Sequence, residues 1–232
     1  MKKKSDFVSE VRTFLDSTAL FSDITTPSVD LLVRNCHFQH IEKGEILFFQ
    51  SDESEAVYIV RSGSISIVLI SSDGREMVIN EMRYGEMFGE LGILTKLPRS
   101  TSAVARSSAD LLVIPCDTFL QVLGNEPLLS RRLLDLLAHR LQRSGEREGA
   151  LAFMNAQARL ARLLLELDKR EQEIGYITIS QEELANRTGL IRQTVAKILG
   201  KWRRSGWLIT GRGRILVLDH KALEKLENEL LI

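Results

Sequence analysis

The sequence predicts an α+β chain: an N-terminal β jelly roll, one long helix and a C-terminal winged helix-turn-helix. Three observations lead there. Short β-branched and aromatic runs alternate with glycine-bearing turns from about Asn35 to Pro115. After Pro127 the apolar period lengthens to that of a helix. Beyond Asn155 a capping signal, a glycine turn and two short apolar runs follow in the order of a helix-turn-helix with a wing. The expected ranges are 1–127 for the jelly roll and a helical N-terminal segment, 128–154 for the long helix and a hinge, and 155–232 for the winged domain.

The strand runs are Glu45-Ile46-Leu47-Phe48-Phe49, Ala56-Val57-Tyr58-Ile59-Val60, Ser64-Ile65-Ser66-Ile67-Val68-Leu69-Ile70 and Glu76-Met77-Val78-Ile79. Breaks fall at Gly44, Ser62-Gly63, Asp73-Gly74 and Gly85, where glycine supplies the φ > 0 of tight hairpins. Ser102-Ala103-Val104-Ala105 and Leu111-Leu112-Val113-Ile114 close a jelly roll of about eight strands.

In the long helix Leu134, Leu137, Leu141, Ser144, Glu148 and Leu151 fall on a heptad seam, which predicts pairing with a second copy. The alternative is a surface helix on a monomer. Leu133, Leu134, Leu136 and Leu137 give more apolar surface than one face needs, which favours pairing. The middle of the seam is polar, and Gly145 there costs ~1 kcal/mol of helix stability. A partner or ligand is expected to satisfy Ser144 and Glu148.

A hinge is expected near Phe153-Met154-Asn155, followed by a helix through Leu160, Leu163, Leu164 and Leu167. Ser180 with Glu183 forms a capping box, Ala185 is small where two helices cross, and Gly189 sits in the turn. Val195 and Ile198 pack the second helix back, although Leu190-Ile191 offers it no capping side chain. Trp207 to Thr210 and Arg214 to Leu218, joined through Gly211-Arg212-Gly213, read as a two-stranded wing. Gly211-Arg212-Gly213 lacks the strand–helix context of a dinucleotide fingerprint.

The 232 residues are 44% hydrophobic and 27% charged, a globular composition. No stretch approaches the ~18 uninterrupted apolar residues of a membrane helix. Met1-Lys2-Lys3-Lys4-Ser5-Asp6 leads into a mixed polar segment rather than an apolar one, so no secretory signal is read and a cytoplasmic location is expected, with no membrane partner. Cys36 and Cys116 are too few for a disulfide framework or a four-thiolate metal site and are expected to be two buried thiols.

A formal charge of zero conceals an asymmetry. Up to Asn155 there are 17 basic and 21 acidic residues, and beyond it 14 basic and 10 acidic. Arg187 to Arg214 holds eight basic residues and no acidic one, a polyanion footprint if the fold gathers them on one face. Arg192, Gln193 and Lys197 project from one face of the second helix of the motif. A merely solvated face is the alternative, but the helix-turn-helix frame, the basic run and the wing residues Arg212 and Arg214 agree on DNA.

In the first domain the informative run is Phe88-Gly89-Glu90-Leu91-Gly92-Ile93-Leu94, followed by Pro98-Arg99-Ser100. Gly89 allows close backbone approach, a short helix from about Glu90 turns free N–H groups toward an anion, and Arg99 can pair with a phosphate. Glu90 repels phosphate but accepts from a sugar hydroxyl. A surface Glu90–Arg99 pair on a glycine-rich loop explains the spacing equally well.

This run is similar to the phosphate-binding cassette of cyclic-nucleotide-binding domains. With the long helix and the helix-turn-helix, nearly the whole chain resembles the cyclic-AMP receptor protein (CRP/FNR) family of bacterial transcription regulators. The resemblance implies a sensor jelly roll, a dimerisation helix and a DNA-binding domain. It implies a homodimer that binds a palindromic site on double-stranded DNA under control of a cyclic nucleotide, cyclic AMP first, with RNA polymerase as a further partner and no catalytic activity. Gly89, Glu90, Leu91, Arg99, Ser100 and Ser144 would form the ligand site, Glu90 taking the ribose 2′-hydroxyl and Arg99 with Ser100 the phosphate. Ser144 falls where cyclic-AMP-binding members carry an adenine-contacting Thr, but Gly145 replaces the Ser that reaches in from the other subunit. For DNA it implies Arg192, Gln193 and Lys197 on bases and Thr194 on a phosphate, joined by Arg212 and Arg214 of the wing.

Other effectors stay open: cyclic GMP, a cyclic dinucleotide, haem or an unrelated small molecule. An iron–sulfur sensor needs more than two thiols. Haem needs axial ligands, and none of His37, His40, His139 and His220 has a distinguishing spacing. A jelly-roll metalloenzyme has only His37-Phe38-Gln39-His40 to recommend it. On a strand that i,i+3 pair points to opposite faces, so no metal is expected.

Overall fold

The computed structural model describes residues 2–71, 74–171 and 174–227. They fall into two compact units, Met1–His139 and Arg140–Ile232.

In the first unit α1 (Lys2–Asp16) and α2 (Thr26–Asn35) precede a strand series. The strands are β1 (His37–Ile41), β2 (Ile46–Phe48), β3 (Ala56–Ser62), β4 (Ile65–Ile70), β5 (Glu76–Met82) and β6 (Met87–Phe88). A short α3 (Glu90–Thr95) follows, then β7 (Ser102–Ala105), β8 (Ala109–Pro115), α4 (Cys116–Asn125) and the start of α5 (Pro127–Phe153). The strands form two four-stranded antiparallel sheets, β1-β8-β3-β6 and β2-β7-β4-β5, the expected jelly roll. Asp73 of the expected Asp73-Gly74 turn lies outside the described residues.

Side-chain alternation in β3 and β8 builds two cores at once. Val60 and Leu111 face the space between the sheets with Phe48, Ile65 and Phe88. Val57, Ile59, Leu112 and Ile114 face the other way, against Leu15, Phe21, Leu32, Phe119 and Leu133 of the helices. Both faces of these strands are therefore covered, which is why they read as continuous apolar runs.

The long helix α5 divides its leucines. Leu129 and Leu133 are buried in the first unit, with Leu136 and Leu137 packed at the margin. Leu134 and Leu141 are 67% and 75% exposed, and Leu151 is also exposed. The expected seam is thus mixed, since Leu137 leans on the core of its own unit. Cys36 is buried, which pushes its thiol up to about 11, whereas Cys116 is only half-buried, a correction to the expectation of two buried thiols. Cys116 opens α4 at the end of the strand, where packing is one-sided.

In the second unit Met154 is buried, and Asn155 Oδ1 caps α6 (Ala156–Arg170) by accepting from Gln157 N and Ala158 N at 2.9 and 3.0 Å. Next come β9 (Ile177–Thr178), α7 (Gln181–Thr188), α8 (Arg192–Arg204), β10 (Leu208–Gly211), β11 (Arg214–Val217) and α9 (His220–Glu227). Leu160, Leu164, Leu184, Val195, Trp202, Ile215 and Leu223 form its core, and Ala185 is buried as its small size suggests. The wing is three-stranded, β10-β11-β9, rather than two-stranded, because the two-residue β9 is too short to show alternation in the sequence. No helix among the described residues is long and apolar enough to cross a membrane.

Candidate functional site

The cassette forms where β6 turns into α3. Gly89 takes φ +86, a left-handed conformation that a side chain resists. A Cβ on it would meet Arg99 Nη1 at 2.7 Å, Ala56 O at 3.3 Å and Tyr58 Cδ2 at 3.4 Å. Glycine is therefore needed both for its dihedral and for the close approach of the guanidinium.

Arg99 turns inward. Only 5% exposed, it donates from Nη1 to Gly89 O at 2.7 Å and from Nη2 to Ala56 O at 2.8 Å. Its Cζ lies 4.3 Å from the centroid of Phe48 and 5.6 Å from that of Tyr58, cation–π contacts worth ~2 kcal/mol when desolvated. Its backbone is held as firmly, Arg99 N donating to Asp52 O at 2.8 Å and Arg99 O accepting from Ser51 N at 2.9 Å. Burial lowers the Arg99 pKa below its ordinary value, opposed by Tyr58 and then by Glu90 and Asp52. Burial likewise raises the Tyr58 phenol.

Glu90 is itself only 5% exposed, Leu91 is half-exposed and Ser100 is exposed. Gly89, Glu90 and Arg99 are thus brought together, not as a surface ion pair but as a buried cluster. Arg99 Nε is buried without a hydrogen-bond partner, an unused donor of the kind a bound anion satisfies. The residues fit a phosphate on this count, although a phosphate that takes the terminal fork must replace the Gly89 or Ala56 carbonyl. Phe48 and Tyr58 were legible only as strand residues. What could have singled them out is alternation, which turns Phe48, Tyr58 and Phe88 into one space, with Tyr58 and Phe88 stacked at 5.3 Å. Ser144, in the second unit, is exposed on α5 with its Oγ donating to Glu148 Oε1 at 3.3 Å.

The second candidate surface is α8 and the wing. Ser180 Oγ caps α7 by accepting from Glu183 N at 3.1 Å, and Gly189 ends it at φ +67. Ile191 caps α8 without a side-chain bond, through its carbonyl alone to Thr194 N and Val195 N. Val195, Ile198, Leu199 and Trp202 bury one side of α8 and leave Arg192, Gln193 and Lys197 exposed on the other, with Thr194 half-buried between. Arg212 and Arg214 are exposed on the wing, and Arg214 stacks over Tyr176 at 4.8 Å, a neighbour the sequence did not reveal. Arg187 of the basic run is instead paired to Glu183 at 2.7 Å. An exposed face carrying guanidinium, amide and ammonium groups on a helix that follows a tight turn can enter a DNA groove.

Three of the four histidines have separate partners. His40 contacts Asp110 and Ser108, His139 the Asp135 carbonyl and His220 Asp168. Among the described residues no group of three His, Cys, Asp or Glu side chains could hold a metal.

Comparison with known proteins matches both domains. Residues 38–126 match the cyclic nucleotide-binding domain and residues 158–226 the Crp-like helix-turn-helix domain. The chain is 30% identical over 213 residues to the cyclic AMP receptor protein of Thermus thermophilus, covering 91% of this chain and 98% of that one. Its fold is similar to that of a transcriptional regulator of the CRP/FNR family from Eubacterium rectale, with TM-score 0.77, 23% identity and coverage of 91% and 98%. It is also similar to the c-di-GMP responsive global regulator CLP from Xanthomonas campestris, with TM-score 0.73, 24% identity and coverage of 83% and 99%. Both domain matches and this relative place the chain in one group, and it belongs to the CRP/FNR family of transcription regulators.

Proposed function

We propose that the protein is a cytoplasmic, homodimeric regulator that binds a palindromic DNA site when a cyclic nucleotide, cyclic AMP first, occupies the cassette. The carrying observation is the buried Gly89–Glu90–Arg99 cluster, in which Arg99 Nε has no partner, in the same chain as an exposed Arg192–Gln193–Lys197 face. Arg99, Ser100 and the α3 backbone at Gly89 to Leu91 take the cyclic phosphate, and Glu90 accepts from the ribose 2′-hydroxyl. The sensor occupies 1–127, the dimer helix and hinge 128–154 and the DNA-binding domain 155–232. Exposed Leu134, Leu141 and Leu151 supply the apolar dimer face, and Ser144 on the same helix is the further ligand residue that the resemblance implies. Arg192, Gln193 and Lys197 read bases, while Thr194, Arg212 and Arg214 hold phosphates of half-sites ~34 Å apart. RNA polymerase is the partner downstream of DNA binding, and the output is occupancy of DNA rather than chemical turnover.

A second reading, an effector other than cyclic AMP, is favoured by Gly145, which offers no side chain to a base, and by the engagement of the Arg99 fork with two carbonyls. Thermal unfolding against cyclic AMP, cyclic GMP, a cyclic dinucleotide and haem separates the readings. A ligand at 100 times its Kd adds ~2.7 kcal/mol. Stabilisation by cyclic AMP alone is expected. Stabilisation by another member of the panel and not by cyclic AMP transfers the site to that effector.

A further inference from the structure

The jelly roll carries a second polar cluster that neither the cassette nor the reading head uses. Its geometry follows from strand register. His40 of β1 stands opposite Asp110 of β8, and Ser62 of β3 stands opposite Asp110 from the other side. Residues directly opposite in a sheet project to the same face, here the one opposite Ile41, Ala109 and Leu111, which line the core between the sheets. Ser108, just before β8, reaches the same cluster through its contact with the His40 ring.

The four side chains form a chain of hydrogen bonds. Ser62 Oγ donates to Asp110 Oδ2 at 2.9 Å and accepts from Asp110 N at 3.3 Å, fixing the carboxylate. Asp110 Oδ1 lies 2.7 Å from His40 Nδ1, and on the far side of the ring His40 Nε2 lies 3.1 Å from Ser108 Oγ. In the tautomer with its proton on Nδ1 toward Asp110, Nε2 carries the lone pair and Ser108 donates to it, the serine–imidazole–carboxylate relationship of an activated nucleophile. In the other tautomer Nε2 donates to Glu42 Oε1 at 3.4 Å. The cluster is open to solvent, His40 and Asp110 side chains being 54% and 43% exposed.

We propose that Ser108 is a modification site, acylated in a single turnover by an activated acyl ester with His40 as general base. Ser108 Oγ attacks the acyl carbon while its proton passes to His40 Nε2. The bond from the acyl carbon to the leaving oxygen then breaks, and that oxygen takes the proton from Nε2. The products are O-acyl-Ser108, the released hydroxyl compound and a neutral imidazole. Asp110 is a positioning residue, because it touches the ring and Ser62 but none of the reacting atoms. O-acyl-Ser108 is an alkyl ester and a far poorer electrophile than the donor, so its hydrolysis is much slower than its formation.

The groups facing His40 fix the pH dependence. Asp110 first, then the Glu42 carboxylate at 3.4 Å from Nε2, raise the imidazole above its ordinary value. Ser62 supports Asp110, and Arg61 acts on it as a charge. Since the reaction needs neutral imidazole, its rate rises with pH through that raised titration and then levels.

The full-length protein with p-nitrophenyl acetate provides the test. The expected result is release of one equivalent of p-nitrophenolate per chain, one acetyl group on the Ser108 peptide by mass spectrometry and the pH profile just described. Ser108→Ala removes the burst, His40→Ala slows it about a hundredfold, and Asp110→Asn slows it and moves the profile to lower pH. Acetyl groups on lysines alone, an unchanged burst in Ser108→Ala, or a wild-type rate without an inflection from His40 overturns the proposal. The wild-type profile and peptide map decide it even where a variant folds poorly.

Discussion

Arg99 Nη1 donates to the carbonyl of Gly89 at 2.7 Å, and the same nitrogen stands 2.7 Å from where a Gly89 Cβ would be. Arginine and glycine thus occupy one space, and the candidate ligand group is also part of the core. From the sequence, Arg99→Ala is expected to abolish the effector response and leave the protein folded. Burial adds a second consequence. Removing the side chain deprives the buried Ala56 carbonyl of its donor, at ~1–3 kcal/mol, and the half-buried Gly89 carbonyl of its own at less. Arg99→Ala is therefore expected to lower the urea unfolding midpoint as well as to lose cyclic AMP binding by calorimetry. Normal stability with normal nucleotide binding would remove Arg99 from both roles.

Gly89→Ala tests the other side of that contact. At φ +86, with Arg99 Nη1 in the way, the methyl is expected to cost ~1–3 kcal/mol through backbone strain. Urea unfolding of Gly89→Ala beside the exposed control Gly124→Ala, which has open space around it, reads this directly.

Stability against acid is expected to depend on Glu126. Buried, it accepts from Thr25 N at 3.1 Å and from Thr25 Oγ1, and hydrogen bonds from Ser28 and then Thr25 lower its pKa below the ordinary glutamate value. A carboxylate depressed on folding contributes stability that is complete above the unfolded-state pKa and is lost as pH falls through the folded one. Glu126→Gln is expected to flatten the acid limb of the unfolding midpoint against pH. An acid limb as steep as that of the wild type would assign acid sensitivity elsewhere.

Much of this was legible. The capping serine at 180, the glycine turn at 189 and the helical spacing of Val195 and Ile198 in α8 are local signals, and local geometry reproduces them. The inward turn of Arg99 was not legible, because its two carbonyl partners lie 10 and 43 residues away and a sequence shows charge without showing which way it faces. The same holds for the Ser108–His40 contact across 68 residues. The short β9 escaped for a different reason: two residues carry no period.

Gln193 is expected to shift the operator. It stands exposed on α8, where a glutamate in its place would read a different base. A carboxylate accepts from cytosine N4, whereas a carboxamide donates and accepts and suits adenine N7 and N6. Arg192 keeps its fork for a guanine. Selection from a randomised DNA pool is expected to return a palindrome with adenine at the symmetric position, and Gln193→Glu to favour cytosine there by ~1–3 kcal/mol. Identical enriched sequences from both proteins would show that this side chain reads no base.

The most direct measurement is the affinity of the full-length protein for its selected palindrome, by fluorescence anisotropy, with and without saturating cyclic AMP over a series of salt concentrations. Effector coupling of ordinary size raises the affinity about 5- to 150-fold, and the exposed basic face gives a steep salt slope in both series. An affinity that cyclic AMP leaves unchanged, while calorimetry shows the nucleotide bound, contradicts effector-gated DNA binding.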